Sequence, residues 1–292
     1  MHKTLPMRRY LIFLLLLGLI SCGTQKTKSD KPIVAVSILP QKYLVNTILD
    51  TLAEVHVIIP PGGSPATWEP STSDMRDLGD ALIYFRIGHI GFEQAWISDI
   101  MDVNPELNVV DLSKNIPLRG INYSHGDHTH SGIDPHIWMS AKNMEIMARN
   151  TFGELQKLFP DHKPQLRRNY SKLMLEIKDC DKFATETFED EQGKSFLIFH
   201  PSLGYLADAY GLQQVSIEFE GKEPSPAYLR DLIDKCNELE IHTIFVQQEF
   251  DKTNAEVIAR EIDGNIIQIH PLSEKWAEEY KSIVSSIKRS FE

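Results

Sequence analysis

Cysteine is scarce in this chain, 3 residues in 292. Cys22 closes an apolar leader, which leaves Cys180 and Cys236 for the body. Both fall in helical patterns, and their spacing indicates no disulfide, so they read as quiet core thiols. Long apolar runs are absent too. The longest, 11–20, is too short for a stable bilayer anchor, which needs ~20 residues. Positive charge is in deficit, with 30 Lys+Arg against 41 Asp+Glu. Without Lys3, Arg8 and Arg9 the balance is 27 against 41, a formal net charge of −14. No basic patch suited to nucleic acid survives that balance. His-Glu-x-x-His is also missing, and with it the helix-borne signature of a zinc hydrolase. No catalytic base stands out, so the chain reads as a binding protein and not an enzyme.

What is present begins at the N-terminus. Lys3, Arg8 and Arg9 precede the apolar run, which ends in Leu19-Ile20-Ser21-Cys22. The pattern resembles a bacterial lipoprotein signal, cleaved before Cys22 and lipidated on its sulfur. A plain cleaved signal with an incidental cysteine is the alternative. Residues 1–21 are then the signal peptide. Residues 22–31, polar and unable to bury apolar area, are a tether. The expected location is outside the cytoplasm, periplasmic or at the cell surface, on an N-terminal lipid.

The remaining chain exceeds the ~100–200 residues of one domain, which favours two lobes. Short β-branched and aromatic runs at 33–38, 55–59, 81–86 and 108–110 form one set of strands. A second set lies at 196–199, 214–217, 243–246 and 266–269. Helical patterns fill the gaps at 41–52, 92–102, 203–210, 226–239, 253–262 and 274–289. Strand and helix in alternation imply right-handed crossovers and parallel sheets. Between the sets lie helices at 141–159 and about 162–190. In the second, Leu166, Tyr170, Leu173, Ile177, Cys180, Ala184 and Thr187 form one apolar stripe. A helix of that length, ~40 Å at ~1.5 Å per residue, suits a strut between lobes. The expected fold class is α/β. Two lobes, 32–160 and 193–292, each hold a small parallel sheet flanked by helices, and one long helix at 161–192 bridges them.

Histidines gather at chemically useful places. Four of the 11 lie in His125-Gly-Asp-His128-Thr-His130-Ser-Gly-Ile-Asp134-Pro-His136. Gly126, Gly132 and Pro135 make this stretch a loop. For His125, His128 and His130 a metal-binding loop and a plain solvated turn both stand. His136 differs, because it abuts the apolar Ile137-Trp138 at the start of a helix. In open α/β sheets ligands bind beyond the carboxyl ends of strands. His89, His200 and His270 each follow a strand, and His136 makes a fourth loop histidine. Neutral imidazole is a good ligand for late divalent metals, zinc above all.

Several segments together resemble the zinc- and manganese-binding solute receptors of ABC importers, the TroA-like or cluster A-I proteins. They are Ile59-Pro-Pro-Gly-Gly-Ser-Pro-Ala-Thr-Trp-Glu-Pro-Ser, Asp134-Pro-His-Ile-Trp, Phe199-His-Pro-Ser-Leu-Gly-Tyr, Ile244-Phe-Val-Gln-Gln-Glu-Phe and Ile269-His-Pro-Leu. The resemblance covers nearly the whole mature chain. It implies two lobes bridged by a long helix, a metal held between them, and a His-rich loop where His125, His128 and His130 lie. It makes His136 the second ligand and His200 the third. His270 stands where an aspartate is common. The first ligand, a histidine, is replaced by Ala66, which binds nothing. Water, Glu69, His89 or a loop histidine could fill that position, His89 first among the protein groups.

Three imidazoles favour zinc over manganese, which prefers carboxylate oxygen. The expected function is an extracytoplasmic zinc receptor, a monomer, that delivers its ion to an ABC permease. A secreted zinc hydrolase, using the Ala66 gap and Glu69, is one alternative. An adhesin or non-metal receptor on the same scaffold is the other.

Overall fold

The first β-branched runs form an all-parallel sheet from β1 (Ile33–Val36), β2 (Glu54–Val57), β3 (Ala81–Arg86) and β4 (Asn108–Asp111). Their order is β2-β1-β3-β4, with Val34 opposite Val55 on one side and Ile83 on the other. Helices α1 (Leu39–Leu49), α2 (Thr72–Gly79) and α3 (Gly91–Val103) make the crossovers. Val34, Ala35, Val36, Tyr84 and Phe85 are fully buried, as a sheet covered on both faces requires. The computed structural model describes residues 31–125, 128–218, 225–250 and 252–292, and only the backbone of 122–125, 128–131 and 254. The expected signal peptide, and Cys22 with the tether up to residue 30, lie outside the described residues.

The short helix α2 has no counterpart in the expected pattern. Only its Leu78 is buried, so it shows almost no apolar period. It is started by a reciprocal cap: Ser71 Oγ accepts from Asp74 N at 3.2 Å, and Asp74 Oδ2 accepts from Ser71 N at 2.8 Å. The stretch expected as a histidine loop also differs. Strand β5 (Gly120–His125) pairs antiparallel with β6 (His128–Ile133), setting His125 opposite His128 and Tyr123 opposite His130. This ladder, which takes in Gly132 opposite Ile121, replaces the expected loop.

The chain then crosses between sheets on α4 (Ala141–Leu158) and α5 (Lys163–Thr187). The 25 residues of α5 span ~37 Å at ~1.5 Å each. Leu166, Leu173, Ile177, Cys180 and Ala184 of its stripe are fully buried. Beyond α5 come β7 (Ser195–Ile198), α6 (Gly204–Tyr210), β8 (Gln213–Ser216), α7 (Pro226–Glu238), β9 (Thr243–Gln247), α8 (Thr253–Glu261), β10 (Asn265–Ile269) and α9 (Trp276–Arg289). These strands make a second all-parallel sheet in the order β10-β9-β7-β8. Helix α5 packs on α1 and α4 and also on α9, so it links the two sheets as a strut. Asn169 Nδ2 donates to Ile48 O of α1 at 3.1 Å, and Tyr210 of α6 donates to Asp181 at 2.9 Å.

One continuous core runs from the first sheet through α4, α5 and α9 to Phe196, Ile198 and Phe245. The alternate residues Leu197, Ile244 and Val246 face a smaller core under α7 and α8. Cys180 and Cys236 are free and buried, and burial pushes both thiols up to about 11. Among the described residues no helix is long and apolar enough to cross a membrane.

Candidate metal centre

His136 and His200 meet in the cleft between the two sheets. His136 directly precedes the tight turn Ile137–Met139, whose three side chains are buried and fix the turn against the core. His200 follows β7, where Phe199 N donates to Phe245 O at 2.8 Å and extends the ladder. Gln247, buried at the end of β9, donates to His200 O at 2.6 Å and accepts from His200 N at 3.3 Å. Phe250 stacks on the His200 ring at 4.8 Å, and Trp138 meets the His136 ring edge-on at 5.2 Å.

Each ring is oriented through its far nitrogen. His136 Nδ1 lies 2.8 Å from Asp134 Oδ1, and His200 Nδ1 lies 2.6 Å from Glu218 Oε2. A carboxylate there requires a protonated Nδ1, which leaves Nε2 of the neutral ring as a bare lone pair. The two Nε2 atoms face each other at 3.2 Å. Two acceptors so placed repel unless a cation lies between them. Tetrahedral zinc with nitrogens at ~2.0–2.1 Å sets two ligand atoms ~3.3–3.4 Å apart, which is this spacing.

Electrostatics keep the pair ready. Burial pushes the His136 pKa down; Asp134 opposes this, and His200 lowers it further, so the net direction is downward. Burial alone would raise Asp134, but the His136 hydrogen bond, the His136 charge and Arg119 outweigh it and hold the carboxyl below its ordinary value. Arg119 Nη1 lies 3.3 Å from Asp134, and its Nε lies 2.9 Å from Asp208 on α6. Tyr205 OH donates to Asp134 O at 3.0 Å. The segment bearing His136 is thereby fastened to the lobe bearing His200.

The cavity at the pair holds about 150 Å³, room for an ion and a few waters. The other expected donors fall elsewhere. His270 lines an adjoining cavity, and Glu249 and Leu272 line both. The His89 ring stands 3.4 Å from Ser113 Oγ and does not line the cavity of the pair. The loop after β3 reaches the cavity through Ile90 and Gly91, while the His89 ring turns to Ser113 in the loop after β4. Ala66 does line the cavity, while Glu69 is exposed and does not. Side chains of His125, His128 and His130 lie outside the described residues. Among the described residues no three His, Cys, Asp or Glu side chains gather around one point. Sequence reading missed Glu218 and Gln247 as supports. Each sits at or just past a strand end, and only the β7–β8 and β7–β9 pairings bring them to His200.

Comparison with known proteins agrees with this geometry. The family described as ZnuA, zinc-uptake complex component A, periplasmic, matches residues 34–291. The high-affinity zinc uptake system protein ZnuA of Bacillus subtilis is 26% identical over 252 residues, covering 82% of this chain and 78% of that protein. The zinc-binding lipoprotein AdcA of Streptococcus pneumoniae is 24% identical over 277 residues, 91% of this chain and 55% of AdcA, so this chain spans about half of that relative. A crystal structure of ZnuA superposes with a TM-score of 0.82 at 30% identity, covering 89% of this chain and 99% of that one. The receptor reading fits these matches; the hydrolase and adhesin readings do not. The chain therefore belongs to the family of periplasmic component A of zinc-uptake complexes, solute-binding proteins that serve transport and not catalysis.

Proposed function

We propose that this chain captures zinc outside the cytoplasm, in the cleft between its lobes, and hands it to an ABC-type permease. The observation that carries this reading is the pair of Nε2 atoms 3.2 Å apart, each ring oriented by a carboxylate. His136 and His200 are the preset ligands, and His270 in the adjoining cavity is the third. His89, with its ring on Ser113, does not enter the set. Three imidazoles select zinc over manganese. Lipid on Cys22 would hold the protein at the membrane that houses the permease. The relative AdcA is called a lipoprotein, which supports that anchor.

Titration calorimetry with zinc tests the site. His136→Ala and His200→Ala should each weaken binding by ~10-fold or more. Unchanged affinity in both variants would sink the assignment. Protons compete with zinc for Nε2, so affinity falls as acid protonates the rings. Because burial holds His136 below its ordinary 6.5, the loss at that ring should come at lower pH than for a free imidazole. Calorimetry across pH 5 to 8, ~1.5 units either side of that value, reads the onset.

A further inference from the structure

The strand ends of the first sheet give the cleft Ser64, Pro65, Ala66, Ile90 and Gly91, without an imidazole or carboxylate among them, and His136 comes from the segment after β6. The second-lobe wall contains Glu249, on the turn after β9. Glu249 lines two cavities at once, with His136 and His200 on one side and His270 on the other. Leu272, the other residue common to both, is apolar and cannot coordinate an ion.

Three acids withdrawn from water elsewhere in the protein rest on a base, whereas the fully buried Glu93 rests on the Ile87 and Gly88 N–H groups and the Ser37 hydroxyl. Asp111 pairs with Arg86 at 2.7 Å, Asp134 with Arg119 and His136, and Glu191 with Lys194 at 2.6 Å. Glu249 has no lysine or arginine partner among the described residues. Burial raises its carboxyl, and the groups that pull it back are its own backbone N–H, His270 and His200. Glu249 is thus a half-buried carboxylate set between two imidazoles.

We infer that Glu249 is the oxygen donor of the metal site, completing with His136, His200 and His270 a set of three imidazoles and one carboxylate. This assignment rests on the receptor reading above. Three neutral rings around a divalent ion leave two positive charges in a partly dry cleft, and one carboxylate halves that charge. Four donors also meet the tetrahedral demand of zinc without help from the strand ends of the first sheet. His136 and His200 are the preset half. Glu249 and His270 are the recruited half, drawn in from either side of the partition between the cavities. The carboxylate, a harder donor than imidazole, also widens the range of ions the site accepts toward manganese.

Zinc and cobalt(II), titrated separately into the intact protein, test the assignment by affinity and by the visible absorption of bound cobalt. Glu249→Gln keeps the shape and removes the charge. It should weaken both ions by ~10-fold or more and alter the cobalt band. Glu249→Asp, a carboxylate on a shorter stem, should recover part of each loss. Glutamine and aspartate variants that match wild type in affinity and band overturn the assignment and leave the imidazole pair standing. Wild type that takes up neither ion overturns the assignment and the receptor reading together.

Discussion

Where β2 and β3 end, the cleft is faced by Ser64, Pro65, Ala66, Ile90 and Gly91; where β7 and β9 end, it is faced by His200, Gln247, Glu249 and Phe250. Both walls obey the rule that ligands meet the carboxyl ends of parallel strands. Their rigidity has different sources. In the first, two turns press backbone to backbone: a Cβ on Gly91 would lie 2.6 Å from Ala66 O. Behind them Glu93, fully buried, accepts from Ile87 N at 2.7 Å, Gly88 N at 2.6 Å and the Ser37 hydroxyl. In the second, the Glu218 carboxylate orients the His200 ring. One wall is a passive lid of backbone and apolar groups and the other carries imidazole and carboxylate, so the fold supplies a crevice while single residues at strand ends supply its chemistry.

That contrast can be broken or sharpened. The largest effect belongs to the imidazole pair: replacing His136 and His200 together by alanine should abolish zinc uptake in equilibrium dialysis, and retained stoichiometric zinc would remove the chemical contrast with the lid. Next comes the lid. Burial raises the Glu93 carboxyl to about 7 from 4.5. Between those values the folded state keeps a proton that the unfolded state has lost, so stability falls as pH rises through the window. Urea melts of metal-free wild type and Glu93→Gln, compared at acidic and alkaline pH, should show the gap shifting by about 3 kcal/mol in favour of the variant. A gap independent of pH would mean the carboxyl titrates normally. Glu218→Gln should cost zinc affinity ~10-fold while leaving the melt unchanged, since it frees the His200 ring without opening the core. Asp208→Ala removes an exposed partner of Arg119 and should shift stability by under ~1 kcal/mol. A larger loss would make that surface tie a structural bond between the walls.

The architecture was legible wherever a period was long. The stripe on α5 repeats over six turns, and the strand runs of both sheets are β-branched and separated by helices, so little else could pack. The short polar helix α2 was not, because it buries too little to show a period, and the β5–β6 ribbon was not, because its glycines read as loop breakers. At the site, His136, His200 and His270 were visible as histidines at loop and strand ends. Their environments were not, since Glu218 and Gln247 reach His200 only through lateral strand pairing. His89 obeyed the same strand-end rule as His200 and yet meets Ser113, because the rule names an edge of the sheet without naming the neighbour beside it.

Two indoles set a limit on how the cleft works. Trp138 Nε1 donates to Pro271 O at 2.9 Å, and Trp276 Nε1 donates to Trp138 O at 2.8 Å, both in the dry interior. Each bond ends on a main-chain oxygen, so it stitches the peptide after His136 to the peptide after His270. Arg119 and Tyr205 tie the same segment to α6 through Asp208 and Asp134, so the chain around His136 is moored at once to the turn after His270 and to the helix after His200.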